Sequence, residues 1–279
     1  PLLAGIELGG TKCVMLLGSG PDDLRAEARI ATTNPNETLD AIDETLKRWR
    51  DRHGFDAIGI ASFGPLDLDP ASPGYGCVIN TPKPDWSGAN LLDRARRWSA
   101  PIGFDTDVNG AALAEGRWGA ARGLQSFAYV TVGTGIGVGS IVNGQSVRGL
   151  GHSEAGHLRV PQGGARPFSG ACPYHGDCVE GLASGAAVLA NAGVPAEQLT
   201  RGDPAWDVVV QALTALFHNL VLTTAPEKIL IGGGLGMGQS HLLPRIRSAL
   251  VASLNGYGQA AFIEAAVDTY LVQPALGLA

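Results

Sequence analysis

The chain has 279 residues, 45 % of them apolar and 16 % charged, which is enough for two domains of roughly 100–150 residues with separate cores. Twenty basic and 26 acidic side chains leave a net charge of −6, and no Lys/Arg run is present to track a phosphate polymer, so no nucleic-acid partner is expected. No basic leader precedes Glu7, no unbroken apolar run reaches the roughly 18–20 residues of a membrane span, and four cysteines are too few for a disulfide scaffold; the expectation is a cytoplasmic protein with no membrane partner.

In chain order, residues 3–17 read as two apolar strands around the turn Gly9-Gly10-Thr11-Lys12. An amphipathic helix is predicted over 37–52 and a strand over 57–61. Residues 64–86 are rich in Pro, Gly and Asp without periodicity and read as a long loop, which in compact domains usually carries function. A strand over 103–105 runs into an Ala-rich helix over 107–118. Residues 127–142 repeat the opening device, strand, Gly/Thr turn, strand, so two similar α/β domains are expected, residues 1–115 and 116–279. A second Pro/Gly-rich loop covers 161–176, a helix covers 204–224, and a strand over 228–231 ends in Gly232-Gly233-Gly234.

The glycine turns offer backbone N–H groups and hydroxyls without bulk, as phosphate oxygens require. A P-loop needs Gly-Lys-Ser/Thr opening a helix, but here the order is Gly-Thr-Lys and a strand follows. A dinucleotide fingerprint needs glycine at 138, where Val138 stands. Neither standard nucleotide-binding motif fits, and three glycine clusters across both halves point to a nucleotide held in a cleft between the domains.

Two further groups carry chemistry. Asp105 and Asp107 stand at a strand end before a helix; Asp107 is the better general-base candidate, although a carboxylate there also suits an N-cap. Cys172, His175 and Cys178 follow Cys-x2-His-x2-Cys, which lets one turn aim all three at a single centre, and thiolate with imidazole selects zinc. His152 and His157 compete as fourth ligand, and a Cys172–Cys178 disulfide is the alternative.

Glu7-Leu-Gly-Gly-Thr-Lys12, Val132-Gly-Thr-Gly-Ile-Gly137, Ile231-Gly-Gly-Gly234, Gly151-His-Ser-Glu-Ala-Gly-His157 and Cys172-Pro-Tyr-His-Gly-Asp-Cys-Val-Glu180 stand in the order of the ROK-family sugar kinases, and the chain resembles that family in its fructokinase branch. The resemblance implies an α/β fold of two similar actin-like ATPase (ribonuclease H-like) domains with an active-site cleft between them, and phosphorylation of a hexose, D-fructose before glucose or mannose, by ATP. It implies Asp107 as catalytic base, ATP contacts at Gly9, Gly10, Thr11, Lys12, Gly133, Thr134, Gly135, Gly233 and Gly234, and sugar contacts at Asn80, Thr106, Glu154, His157 and Glu180. A structural zinc would take His157, Cys172, His175 and Cys178, and Mg2+ would sit near Glu7. The family more often has Asp and Asn where Glu7 and Thr106 stand. A homodimer is expected by analogy. The family also contains DNA-binding regulators, which carry a helix-turn-helix ahead of the first phosphate loop, whereas this sequence reaches Gly9 at once.

Overall fold

Alternating apolar residues make the first sheet. In β1 (Leu3–Leu8) the residues Ala4, Ile6 and Leu8 are buried, and in β2 (Lys12–Gly20) Cys13, Met15 and Leu17 are; a period of two places each set on one face. β3 (Asp23–Ala31), α1 (Pro35–Arg52), β4 (Ala57–Ser62), α2 (Leu91–Arg96) and β5 (Ile102–Thr106) follow. α1 starts where the Asn34 side chain accepts the N–H of Glu37 and a proline opens the first turn, and it lays Ile42, Leu46 and Trp49 into the core. The sheet order is β3-β2-β1-β4-β5, with β1 antiparallel to β2 and parallel to β4. β3 is absent from the sequence-based prediction, although Asp23-Leu24-Arg25-Ala26-Glu27-Ala28-Arg29-Ile30 alternates charged and apolar residues as a strand with one face in solvent does, and its charges suit an edge strand.

This computed structural model describes residues 1–162 and 168–277, so part of the predicted loop over 161–176 lies outside the described residues. The chain divides into two compact units, Pro1–Gly110 with Arg148–His152, and Ala111–Val147 with Ser153–Ala279. The division falls inside α3 (Asp107–Trp118).

The second unit contains β6 (Phe127–Val132), β7 (Ile136–Val142), β8 (Gln145–Ser146), α4 (Val179–Ala183), α5 (Gly185–Ala192), α6 (Ala205–Thr224), β9 (Ile229–Gly232), α7 (Gly233–Gly238), α8 (Leu242–Leu254), α9 (Ala260–Ala265), α10 (Val267–Tyr270) and β10 (Leu271–Val272). Its sheet runs β10-β9-β6-β7-β8, with β6 antiparallel to β7 and parallel to β9. From β6 outward, order and strand sense repeat those of the first sheet from β1, so the repeat seen in two hairpins extends over whole sheets. α6 buries Trp206, Val209, Leu213, Leu216, Phe217 and Leu220 at helical spacing. It is the one described helix long and apolar enough by composition to cross a membrane. Counting unbroken apolar runs passes over it because Asp207, Gln211, His218 and Asn219 interrupt it, and its burial makes it a core helix.

Candidate functional site

In the first unit the β1–β2 turn is tied down through its carbonyls. Gly9 donates its N–H to Lys12 O at 2.9 Å, and buried Thr32 donates its N–H to Thr11 O at 3.0 Å and its hydroxyl to Gly9 O at 2.8 Å. Gly10, Thr11 and Lys12 are exposed. Glu7 lies on the central strand, paired with Val14 and Ala61, and is half-buried. Burial raises its pKa, with Lys12 partly opposing. Asn80 is exposed at φ 44°, a left-handed conformation Asn tolerates better than most residues.

The two aspartates at the β5–α3 junction differ sharply. Asp105 is buried; its Oδ1 accepts the Thr106 N–H at 2.8 Å and Asn109 Nδ2 at 2.7 Å, while Arg148 Nη2 meets its Oδ2 at 2.6 Å. A carboxylate with both oxygens so committed is a poor proton acceptor. Asp107 is half-exposed, the first residue of α3, and its Oδ1 accepts the Val108 N–H at 2.8 Å. The cap expected of Asp107 is made by Thr106, whose hydroxyl oxygen accepts the Asn109 N–H at 3.2 Å. Thr106 is buried, and that bond leaves its O–H hydrogen for another partner.

In the second unit, residues 133–135 join β6 to β7. Gly133 donates to Gly135 O at 2.9 Å and accepts from Gly185 N at 2.7 Å. The Glu180 carboxylate, on α4, accepts the Ile136 N–H at 3.0 Å. Glu154 and His157 share one 3-10 turn, in which His157 N–H donates to Glu154 O at 2.9 Å. That turn lies against the start of β7, where a Cβ on Gly156 would run into the carbonyl of Ile136. Gly233, at φ 81°, follows β9 and opens α7 against Thr131 and Val132, directly before the 133–135 turn, so two of the three glycine clusters adjoin.

The predicted cysteine and histidine set also converges here. Ligand atoms of His157, Cys172, His175 and Cys178 lie within 4.8 Å of one another. His157 Nδ1 is 3.6 Å from Cys172 Sγ and 3.5 Å from Cys178 Sγ, and His175 Nδ1 is 3.8 Å from Cys172 Sγ. A tetrahedral ion with Zn–S of about 2.3 Å and Zn–N of about 2.0–2.1 Å would hold S and N about 3.6 Å apart. The donor set therefore fits zinc, and both cysteines are free thiols. Burial pushes the Cys178 thiol up to about 11, with Cys172 and Glu180 adding to the rise; a bound cation reverses that logic. His152 is engaged in the first unit, its Nε2 accepting the Leu66 N–H at 3.0 Å.

Sequence reasoning left out Thr32, Lys83, Arg148 and the bracing contact of Glu180, all joined to their partners by bonds spanning 23 to 51 residues. Only the unusual position of a lysine between prolines in Pro82-Lys83-Pro84 was a signal.

The ROK family pattern matches residues 3–270. The chain is 37 % identical to a fructokinase of Pediococcus pentosaceus, covering 99 % of this chain and 93 % of the relative. It is 39 % identical to a fructokinase of Zymomonas mobilis, covering 98 % and 91 %. It resembles the crystal structure of a ROK family glucokinase from Streptomyces griseus in complex with glucose and AMPPNP, with a TM-score of 0.76, 25 % identity and coverage of 99 % and 95 %.

Proposed function

The chain belongs to the ROK family, and from that premise we propose that it is an ATP-dependent hexose kinase that converts D-fructose to D-fructose 6-phosphate. The observation that carries the reading is the contrast at the β5–α3 junction. Asp105 is buried and fully bonded, while Asp107 stands half-exposed at the head of the helix.

Asp107 takes the proton of the sugar hydroxyl as its oxygen forms a bond to the γ-phosphorus. The bond from that phosphorus to the β–γ bridging oxygen breaks, and ADP leaves with the electron pair. Backbone N–H groups of Gly10, Thr11, Lys12, Thr134 and Gly135 hold phosphate oxygens, Gly9 and Gly133 close the two turns through their own N–H groups and let the phosphates approach without side-chain bulk, and Gly233 and Gly234 leave room for the adenosine. Glu154, the Nε2 of His157, Glu180, Asn80 and the Thr106 hydroxyl hold sugar hydroxyls. Glu7 would stand near the Mg2+ that enters with ATP, which would supply charge neutralisation on the phosphates. His157, Cys172, His175 and Cys178 would hold zinc with four protein ligands, so the metal would supply structure rather than chemistry. His157 then turns Nδ1 to the metal and keeps Nε2 for the sugar. The reading carries a cytoplasmic location and a homodimer with it, both by analogy with the family.

A coupled assay for ADP release with MgATP and a panel of hexoses tests the proposal. No turnover on any hexose by folded protein would overturn it, in favour of a non-catalytic sugar-binding member of the family.

A further inference from the structure

Thr32 sits at the centre of a chain of contacts that the kinase reading does not use. It is 7 % exposed, and it holds the first glycine loop twice, through Thr11 O and Gly9 O. Its own carbonyl accepts Lys83 Nζ at 3.1 Å. One residue on, the carbonyl of Thr33 accepts Trp86 Nε1 at 2.7 Å. Trp86 is wholly buried, edge-on to Phe63 at 5.2 Å, and Phe63 donates its N–H to Leu8 O at the end of β1. Residues 80–86 are thus fastened by two side chains to the segment that fastens the phosphate loop.

Lys83 is the unusual member. It is half-buried, its ammonium bonds a backbone carbonyl, and it forms no ion pair among the described residues. A surface lysine in a water-exposed connector loses little by leaving such a carbonyl; one confined between Pro82 and Pro84 holds a fixed position, because each proline fixes a backbone angle. Asn80, three residues earlier, is a proposed sugar contact. The Lys83 N–H donates to Thr81 Oγ1 at 3.3 Å, which keeps the short stretch between them folded on itself.

We infer that Lys83 is a positioning residue that couples sugar binding on the 80–86 segment to the geometry of the first phosphate loop, through Thr32. The inference rests on the kinase reading of that loop. A sugar that orders Asn80 orders Lys83 and hence Thr32, and the loop N–H groups meet the nucleotide already placed. By linkage the nucleotide must tighten the sugar by the same factor.

The test is titration of AMPPNP with Mg2+ into the protein with and without fructose, for wild type, Lys83→Met, Lys83→Arg and Thr32→Val. In wild type, fructose should tighten AMPPNP by about fivefold or more, in the range common for coupled sites. Lys83→Met should cut that ratio by about threefold or more while leaving Tm and the Kd for fructose alone nearly unchanged, and Lys83→Arg should restore it, since a guanidinium also donates to a carbonyl. Loss of packing alone would lower Tm without lowering the ratio. Should Lys83→Met fail to fold, Thr32→Val, which removes only the hydroxyl bond to Gly9, should lower the same ratio. An unchanged ratio in the variants of an active enzyme overturns the relay and spares the kinase; a wild type that binds neither ligand overturns both.

Discussion

Ile136 donates its backbone N–H to the Glu180 carboxylate at 3.0 Å, so the residue that resembles a sugar ligand also braces the first residue of β7 beneath the second glycine turn. Little room separates the two: a Cβ on Gly135 would stand 2.7 Å from the same Glu180 oxygen. Glu180→Gln keeps a carbonyl acceptor for that N–H and should leave the KM for MgATP within about threefold, while Glu180→Ala leaves the donor unpaired and should raise the KM for MgATP and for fructose together. Steady-state kinetics in both substrates checks this; a Glu180→Ala effect confined to fructose would remove the brace.

Asp107→Asn should fold normally, because the α3 cap is the Thr106 hydroxyl and is untouched. Removing the base should lower kcat by at least about 10²-fold with fructose binding nearly unchanged. Near-normal turnover by a folded variant would exclude Asp107 as the base.

Burial raises the Glu7 pKa above its unfolded value, so the folded state binds the proton more tightly than the unfolded state does. Stability from this group is then greatest below the unfolded pKa and falls as pH rises through the folded pKa. At neutral pH the ionised carboxylate costs stability. Glu7→Gln should therefore raise Tm at pH 7, with the gain shrinking as pH falls into that window, while weakening the response of kcat to Mg2+. Thermal melts across pH, with a Mg2+ titration of the rate, check both halves.

Elemental analysis should find about one zinc per chain. Cys178→Ser is a clean probe, because the Cys178 side chain caps α4 by accepting the Gly181 N–H and serine caps at least as well. The variant should lose the metal, and chelation of wild type should lower Tm and activity together. Full activity in zinc-free protein would rule out the structural role.

Fructose should give the highest kcat/KM of a hexose panel. Carboxylates and an imidazole fixed for particular hydroxyls are left unpaired when a hydroxyl is misplaced, which costs on the order of 1–3 kcal/mol per group. Equal kcat/KM for glucose and fructose on one preparation would make this a broad hexokinase.

What the sequence determined by itself was everything written in short-range patterns. Apolar strands around Gly9-Gly10 and Gly133-Thr134-Gly135 placed both hairpins, Cys172, His175 and Cys178 showed a metal-binding spacing, helical spacing of apolar residues placed the helices that became α1 and α6, and alanine-rich composition placed α3. Those signals depend on turn chemistry and periodicity within a few residues, so they survive without knowledge of the chain path. Only the tertiary structure decided which of two neighbouring aspartates keeps an accessible carboxylate, because Arg148 reaches Asp105 from 43 residues away. It also sent His152 to Leu66, 86 residues distant, while seating His157 beside the thiols. The Thr32–Lys83 contact was hidden for the same reason, a lysine bonded to a carbonyl 51 residues away, whereas β3 pairs with β2 across a short turn and its charged and apolar alternation was a local signal that the sequence-based prediction passed over.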